Sequence, residues 1–559
     1  MCPIRATGAD MRGRPQPKLH TLVTQPPPSR GLNTIGDLAA MPPTDAVEMD
    51  NLIASELGLT MRGGWREYAT NIGGGTTETV RTIMAYNGAP ANAMVSPLTA
   101  SELWAAIDDG IYLVEGGGDL SALSPAIALS GATFAGSMSW VNFTSSGGGQ
   151  YLVACSETDG GYLYDGVSWM KMTSVGGPGP GIITGVNPAD FVQVVAWKRR
   201  LAFVKRGTGQ AWFLPAGAVG GAASLFDFGP QLEHGGAVLG LANWTQDDGG
   251  GMDDRLVILG SSGDLVIYQG TDPTVATEFE NAGTWFIGQP PVGRRSFTTS
   301  GGNVYVLTQF GVIPVNQIVQ GGLDNILTSN TDLLQQLRKI QDALNQDFQT
   351  LLNTPGWELL VIPQLALLVI NRPSIAANEF IQYAFQQHSM SWCRLLDIPA
   401  ATMARRLNEI YSGTADGRIL RILDGTTDGA LLDGSNSMEI RARLTPAFNY
   451  FGDPTVVKQA LMMRASFLAR LPPAWTVAMN VDFEVSPVNA SVPSGETVGS
   501  LWDASFWDAA YWAGGRTNSA EWRTVQGIGY ALSPSLFIAS DTQTTLTSLE
   551  YMMKPGGPW

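Results

Sequence analysis

Cysteine and histidine are both scarce: the 559-residue chain holds only Cys2, Cys155, Cys393, His20, His234 and His388. No two cysteines form a CxxC pair, so neither a disulfide framework nor a zinc site is suggested. Three scattered histidines argue against a His-based metal or acid–base cluster. A Cys–His nucleophile is conceivable only at His388 and Cys393, where a buried thiol beside Trp392 at a packed strand edge is the simpler reading. Charge is sparse too. Charged residues make up 15% of the chain and the formal net charge is −16. That balance argues against a protein that grips nucleic acid, because phosphate contacts need clustered Lys and Arg. An acidic wall would instead let DNA slide past. No apolar run reaches the roughly 18 residues of a membrane span, and no signal-peptide pattern opens the chain. The glycine runs at 116–118, 147–149 and 249–251 are not followed by GK[ST], which excludes a P-loop and leaves flexible connectors. Accordingly no catalytic, cofactor-binding or metal-ligating residue is assigned, and the chain does not read as an enzyme.

What is present is a turn-rich β composition, with 66 glycines and 44% hydrophobic residues. The length is too great for one core and implies roughly two to four domains. The clearest unit is residues 405–424, RRLNEIYSGTADGRILRILD. An apolar strand (Leu407, Ile410, Tyr411), a turn over 413–417 and a second apolar strand over 419–423 predict a β-hairpin. Asp416 and Gly417 supply its turn, since φ > 0 is cheap only for Gly and tolerable for Asp. Residues 103–114, 151–164, 201–214, 256–268 and 304–315 repeat the pattern. Their starts lie about 45–55 residues apart, the spacing of propeller blades. The fold class expected is mainly β: a propeller-like array of hairpin blades with a helical insertion and an additional C-terminal antiparallel β region. Trp104, Tyr112, Tyr162, Trp169, Trp197, Trp212, Trp244 and Trp285 read as rings packed between blades rather than as a sugar platform.

Between the fifth and last hairpins the period changes. Leu333, Leu337, Ile340, Leu344, Phe348 and Leu351 recur every three to four residues, predicting one amphipathic helix over 331–352, about 33 Å long if straight. Ser329, Asn330 and Thr331 offer N-caps, and Thr354, Pro355 and Gly356 a stop. The helix docks on the propeller or on a neighbour. Residues 357–371 form a further apolar run. The expected organisation is an extended, Pro-rich, basic arm over 1–30, propeller over 31–325, a helical insertion over 326–355, remaining blades over 356–436 and the C-terminal β region over 437–559, a separate domain or a last sheet closing the ring. Asp45 and Asp50 read as turn and cap residues. Two Trp-Asp dipeptides, at 502–503 and 507–508, lie too close together for WD repeats; with Trp512 they read as a loop anchored on a partner or a neighbouring sheet.

Several ordered blocks resemble a known family. Gly31, Leu32, Asn33 and Thr34, then Met41, Pro42, Pro43, Asp45, Ala46 and Val47, then Met49, Asp50 and Asn51, then Arg62, Gly63 and Gly64, resemble the N-terminal part of the tail nozzle, or tail tubular protein B-like, proteins of short-tailed (podovirus) bacteriophages. Gly356, Trp357 and Glu358, the run 367–371, the strand 383–385, Trp392, Cys393 and Arg394, and the hairpin 410–417 resemble that family's second half. The resemblance implies a structural virion tail protein: a homohexameric nozzle below the head–tail adaptor, carrying tail fibres or spikes and conducting and gating double-stranded DNA during ejection without sequence-specific binding. It would be assembled in the host cytoplasm and reside in the virion tail. The alternative is a propeller-type tail protein that binds or degrades polysaccharide, using carboxylates from Asp108, Asp109, Asp159, Asp253, Asp254, Asp264 and Asp416. A docking propeller without a channel is a third reading.

Overall fold

The computed structural model describes residues 21–74, 78–88, 101–247, 252–275, 277–328, 331–374, 379–486 and 516–555. Four four-stranded sheets, one three-stranded sheet and two four-stranded meanders inside a larger sheet make seven blades. Their first strands are Thr82–Tyr86, Met138–Thr144, Phe191–Trp197, Val238–Asp247, Phe297–Ser300, Glu358–Ile362 and Thr402–Arg406. Each packs beside the next, and the last packs beside the first, so the ring is closed. This is a β-propeller.

The hairpins read from the sequence are consecutive strands within these blades, and their continuous apolar runs have a physical cause. Blade 2 shows it. Along Gln150–Ser156, Val153 and Cys155 face blade 3, in a cluster with Phe191 and Phe203. Leu152 and Ala154 face blade 1, in a cluster with Met84, Trp104 and Ile111. Successive side chains of a strand point to opposite faces, and in a propeller both faces are covered. Blades 3 and 4 repeat the arrangement. Phe191 and Phe203 stack with ring centroids 4.4 Å apart, and Trp104, Tyr162, Trp169, Trp197 and Trp244 are all buried.

Ring closure departs from expectation. The outer strand of blade 7 is Trp65–Thr70, antiparallel to Ile419–Ile422. Ala69 and Ile72 join Tyr411 and Ile419 of blade 7 and Ile83 and Leu103 of blade 1 in one cluster. The propeller therefore begins near residue 65 rather than at 31, and the region 437–559 does not close it. Pairing across some 350 residues leaves no local trace. Leu407, expected in a strand, sits instead in the turn between Thr402–Arg406 and Glu409–Gly413, with φ 53° and 41% exposure.

Among the described residues, the segment between blades 5 and 6 holds α1 (Val315–Thr328), interrupted at Gly322 where φ is 68°, α2 (Asp332–Arg338) and α3 (Gln341–Leu351). It begins at 315, ahead of the expected 326. Blade 5 has three strands, and α1 packs against blade 5 and the outer strand of blade 4. The single helix expected over 331–352 is broken at Lys339 and Ile340. The Lys339 carbonyl accepts from the Thr34 backbone N–H (2.7 Å) and hydroxyl (2.8 Å). The Ala343 N–H, which would have bonded that carbonyl in a continuous helix, donates to Thr34 Oγ1 at 3.4 Å. A residue 305 positions away is thus inserted into the helical ladder. Helix α3 then docks on blade 6 of the same chain. Trp357 Nε1 donates to the Leu351 carbonyl at the helix end (2.9 Å), and Tyr383 Oη to Asp347 (2.7 Å).

Beside the ring lies a second β body. One sheet holds Leu52–Ser55, Gly58–Met61, Thr544–Pro555, Lys458–Ala469 and Thr517–Gly529, with Thr21–Gln25 also on Thr544–Pro555. The facing layer holds Asp45–Asp50, Met438–Pro446, Leu532–Ser540 and Ala474–Val481. Met463, Ala465 and Phe467 of the first pack with Ile440, Leu444, Leu536 and Trp475 of the second. Residues 45–61 thus belong here and not to a blade. The facing layer continues into blade 6, because Gly31–Leu32 and Asp45–Asp50 run parallel to Ser391–Leu396.

Candidate functional site

Two places concentrate buried polar chemistry: the seam between propeller and second β body, and the propeller axis. The seam is built by the N-terminal blocks singled out in the sequence. Asp45 is 2% exposed and accepts from Lys339 Nζ (2.7 Å) and Asn33 Nδ2 (2.7 Å). Asn33 Oδ1 in turn accepts the backbone N–H groups of Ile35 and Gly36. Asp50 is gripped by Arg394 through Nε (2.6 Å) and Nη2 (3.1 Å), with Glu48 sharing that guanidinium at 3.4 Å. Burial pushes the Asp50 carboxyl up to about 6; Arg394 opposes this and Glu48 adds to it. The expectation of turn and cap roles for Asp45 and Asp50 is therefore corrected: both lie on a buried strand and form ion pairs.

Arg62 completes the seam. Its side chain has no exposed surface. Nε donates to Asn51 Oδ1, Nη1 to Asp428 Oδ1 and the Gly63 carbonyl, and Nη2 to Asp428 Oδ2 and the Leu396 carbonyl, all within 2.6–2.9 Å. All five guanidinium donors are satisfied, as a buried arginine requires. Burial raises the Asp428 carboxyl, against the pull of Arg62. Asn51 passes the network on by donating to the Arg441 carbonyl at 2.7 Å. One arginine thereby ties blade 6, the strand Thr427–Ala430 and the second body together. Gly64 permits the fit: a Cβ there would lie 1.9 Å from the Thr427 carbonyl oxygen. Gly31, at φ 74°, would put its Cβ 2.4 Å from the Trp392 carbonyl oxygen.

At the axis, two consecutive arginines of the segment before blade 5 bind across the ring. Arg295 donates to Glu358 (3.2 Å) and Thr402 (2.6 Å) of blades 6 and 7, and to the Arg81 carbonyl (2.7 Å) and Thr82 Oγ1 (3.0 Å) of blade 1. Arg294 donates to Glu157 (3.1 Å) and to the Leu239 carbonyl of blade 4. Above them opens a cavity of about 550 Å³. Arg62 stood in a block that resembles a known family, but nothing in the sequence singled out Arg294, Arg295 or Lys339. The only available signal was scarcity, since a chain with 33 Lys and Arg in 559 residues has few to spend on burial.

The turn carboxylates are held locally. Asp108 pairs with Arg81 (2.9 Å), Asp109 accepts from Tyr112 (3.2 Å), and Asp159 accepts from Lys171 (2.7 Å) and Tyr162 (2.5 Å). Asp254 accepts from Thr245 (2.6 Å), Asp264 pairs with His234 (2.6 Å) and Asp416 with Arg418 (2.7 Å). Cys393 is 2% exposed, its Sγ is directed at the Ala384 carbonyl, and burial pushes its thiol pKa up. His388 lies in the exposed turn before it. The arm over 1–20, the Trp-Asp dipeptides with Trp512, the N-caps Ser329 and Asn330, the 249–251 glycines and the Asp253 side chain lie outside the described residues.

No family model and no curated protein matches the chain. Solved structures similar to it include BBS1N in complex with ARL6DN, at 11% identity and TM-score 0.34, covering 66% of this chain and 99% of that one. The computationally designed Ika8 protein is similar at 9% identity and TM-score 0.32, over 70% and 98% of the two chains. The Cps50 (Swd1) beta-propeller domain of Myceliophteria thermophila is similar at 14% identity and TM-score 0.33, over 62% and 98%.

Proposed function

We propose that the chain is a structural subunit of a short-tailed phage tail nozzle, and that copies of it, as a homohexamer, surround the path of double-stranded DNA during ejection. The observation that carries this reading is a coincidence of two patterns. Asn33, Thr34, Asp45, Asp50, Asn51, Arg62 and Gly64 lie in the blocks that resemble the tail-nozzle family, and these same residues build the seam between the two β bodies. A seam of buried, fully bonded charge fixes one geometry between two bodies, which suits a part that transmits force and does no chemistry.

Arg294 and Arg295 cross the propeller axis, so in this reading the DNA path runs between copies and not through any one propeller. With a net charge of −16, the wall of such a bore would repel phosphate and keep the passing duplex from sticking. Helices α2 and α3 are tied to Asp45 and blade 6, which favours a fixed bracing role for them and leaves gating to other inward loops. An adaptor ring above and fibres or spikes at the flank are the implied partners, and the virion tail the implied location. Immunogold labelling of intact virions tests the assignment: label confined to the tail supports it, and virions without label contradict it. The polysaccharide reading predicts clearing of capsule by the purified chain, lost on Asp→Asn changes at the blade turns.

A further inference from the structure

The axial cavity has the makings of a ligand site that the tail reading does not use. Its walls are mainly apolar, with Phe134, Val292 and Trp357 among them, and Arg81, Arg294 and Arg295 converge on it. The three guanidinium side chains are 13–25% exposed. Arg295 spends its two terminal nitrogens on blades 1, 6 and 7. The other two do not. Arg294 uses Nε and Nη1, and Arg81 uses Nε and Nη2; Arg294 Nη2 and Arg81 Nη1 have no hydrogen-bond partner among the described residues. Phe134 gives a second, independent sign. It stands at φ 69°, a conformation that a bulky side chain rarely adopts, and it places its ring 4.7 Å beneath the Arg81 guanidinium. Backbone strain of this kind persists where the surroundings hold it, and it clusters at ligand clamps.

We infer that the cavity binds a monocarboxylate carried next to an apolar group, either on a short peptide segment or as a free small acid. Each arginine already has a resident carboxylate, Asp108, Glu157 or Glu358, so the three cations and three anions balance. Those carboxylates repel a phosphate dianion about twice as strongly as a single carboxylate, which favours the monoanion. A single carboxylate needs only the unspent N–H groups, in charge-assisted bonds, while its apolar neighbour fills the space between Phe134, Val292 and Trp357. The volume suits a ligand of three or four residues or a small organic molecule. This inference stands apart from the tail assignment, and either can fail alone.

Calorimetric titration of the full chain tests it with four probes: 3-phenylpropionate, acetyl-Glu-Phe-amide, acetyl-Gln-Phe-amide and inorganic phosphate. Saturable binding is expected for the two carboxylates and for neither of the others. A dipeptide about tenfold tighter than 3-phenylpropionate points to a peptide source, and equal affinity to a free acid. Arg294→Lys, which keeps the charge and loses the fork, is expected to weaken binding about tenfold. Since Arg294 also braces the ring, Val292→Trp serves as a second variant. Val292 is 40% exposed, so the change fills the cavity without disturbing the core, and it should abolish binding at unchanged Tm. Phosphate binding as tight as carboxylate, undiminished binding to a folded Val292→Trp chain, or no carboxylate binding up to about 10 mM overturns the inference.

Discussion

Asp45 and Lys339 stand 294 positions apart in the chain, yet Oδ1 of one lies 2.7 Å from Nζ of the other, with 2% and 9% of their side-chain surfaces exposed. Around this contact the helical segment is locked to the strand that bridges the two β bodies. Burial lowers the Lys339 ammonium pKa, and Asp45 opposes that shift.

Removing one partner strands the other charge in the interior. Lys339→Met is expected to cost about 3–5 kcal/mol of unfolding free energy. The double variant Asp45→Asn/Lys339→Met keeps the bond to Asn33 without a buried charge and should recover more than half of that loss. Denaturant unfolding of the four proteins of the cycle checks this, and additive losses would show that the pair is not coupled.

Asp50 makes stability depend on pH with a definite sign. Its folded pKa, about 6, lies above the ordinary 3.8, so the folded state binds the proton more tightly. The stability it contributes is fully present below 3.8 and is lost as pH rises through about 6. Measured against Asp50→Asn, the wild-type chain should lose relative Tm between about pH 4 and 6 and hold level above. A relative gain over that interval would mean that Arg394 outweighs burial.

Gly64→Ala is expected to be among the most damaging single-methyl changes in the chain. The new Cβ would meet backbone at 1.9 Å, where no side chain can swing away. A loss of about 3 kcal/mol or more is expected by thermal or chemical denaturation, against less than about 1 kcal/mol for an ordinary exposed site.

Arg295→Met should loosen the ring where its first and last blades meet. The change takes the cation from Glu358, which is 7% exposed and keeps the Met403 N–H at 2.7 Å, and it breaks bonds to Thr402 and Thr82. Hydrogen exchange is expected to speed up in Thr82–Tyr86 and Thr402–Arg406 and to be unchanged in blade 3. Uniform acceleration across all blades would deny Arg295 a local bracing role.

How much of this was readable follows from the range of each interaction. The blade hairpins were legible because their information is local: apolar runs with a glycine-bearing turn between them, such as 201–214 around Gly207 at φ 67°. The helix pattern over 331–352 was legible too, but its break was not, since Thr34 makes it from the far end of the chain. The same holds for closure by Trp65–Thr70 and for the passage of residues 45–61 into the second body. At the seam, the blocks around Asn33, Asp45, Asn51 and Arg62 stood out as a resemblance, while their pairing with Lys339, Arg394 and Asp428 needed three dimensions. The axial arginines carry no pattern at all; what gives them meaning is that blades 1, 4, 6 and 7 all present acceptors to them.

The proposed assembly meets its most direct test in electron-microscopy class averages of the purified chain, alone and with the head–tail adaptor that the proposed function implies. Closed rings of six copies are expected around a bore wide enough for a DNA duplex, about 20 Å across, with each propeller axis blocked. Solitary discs under both conditions would contradict it.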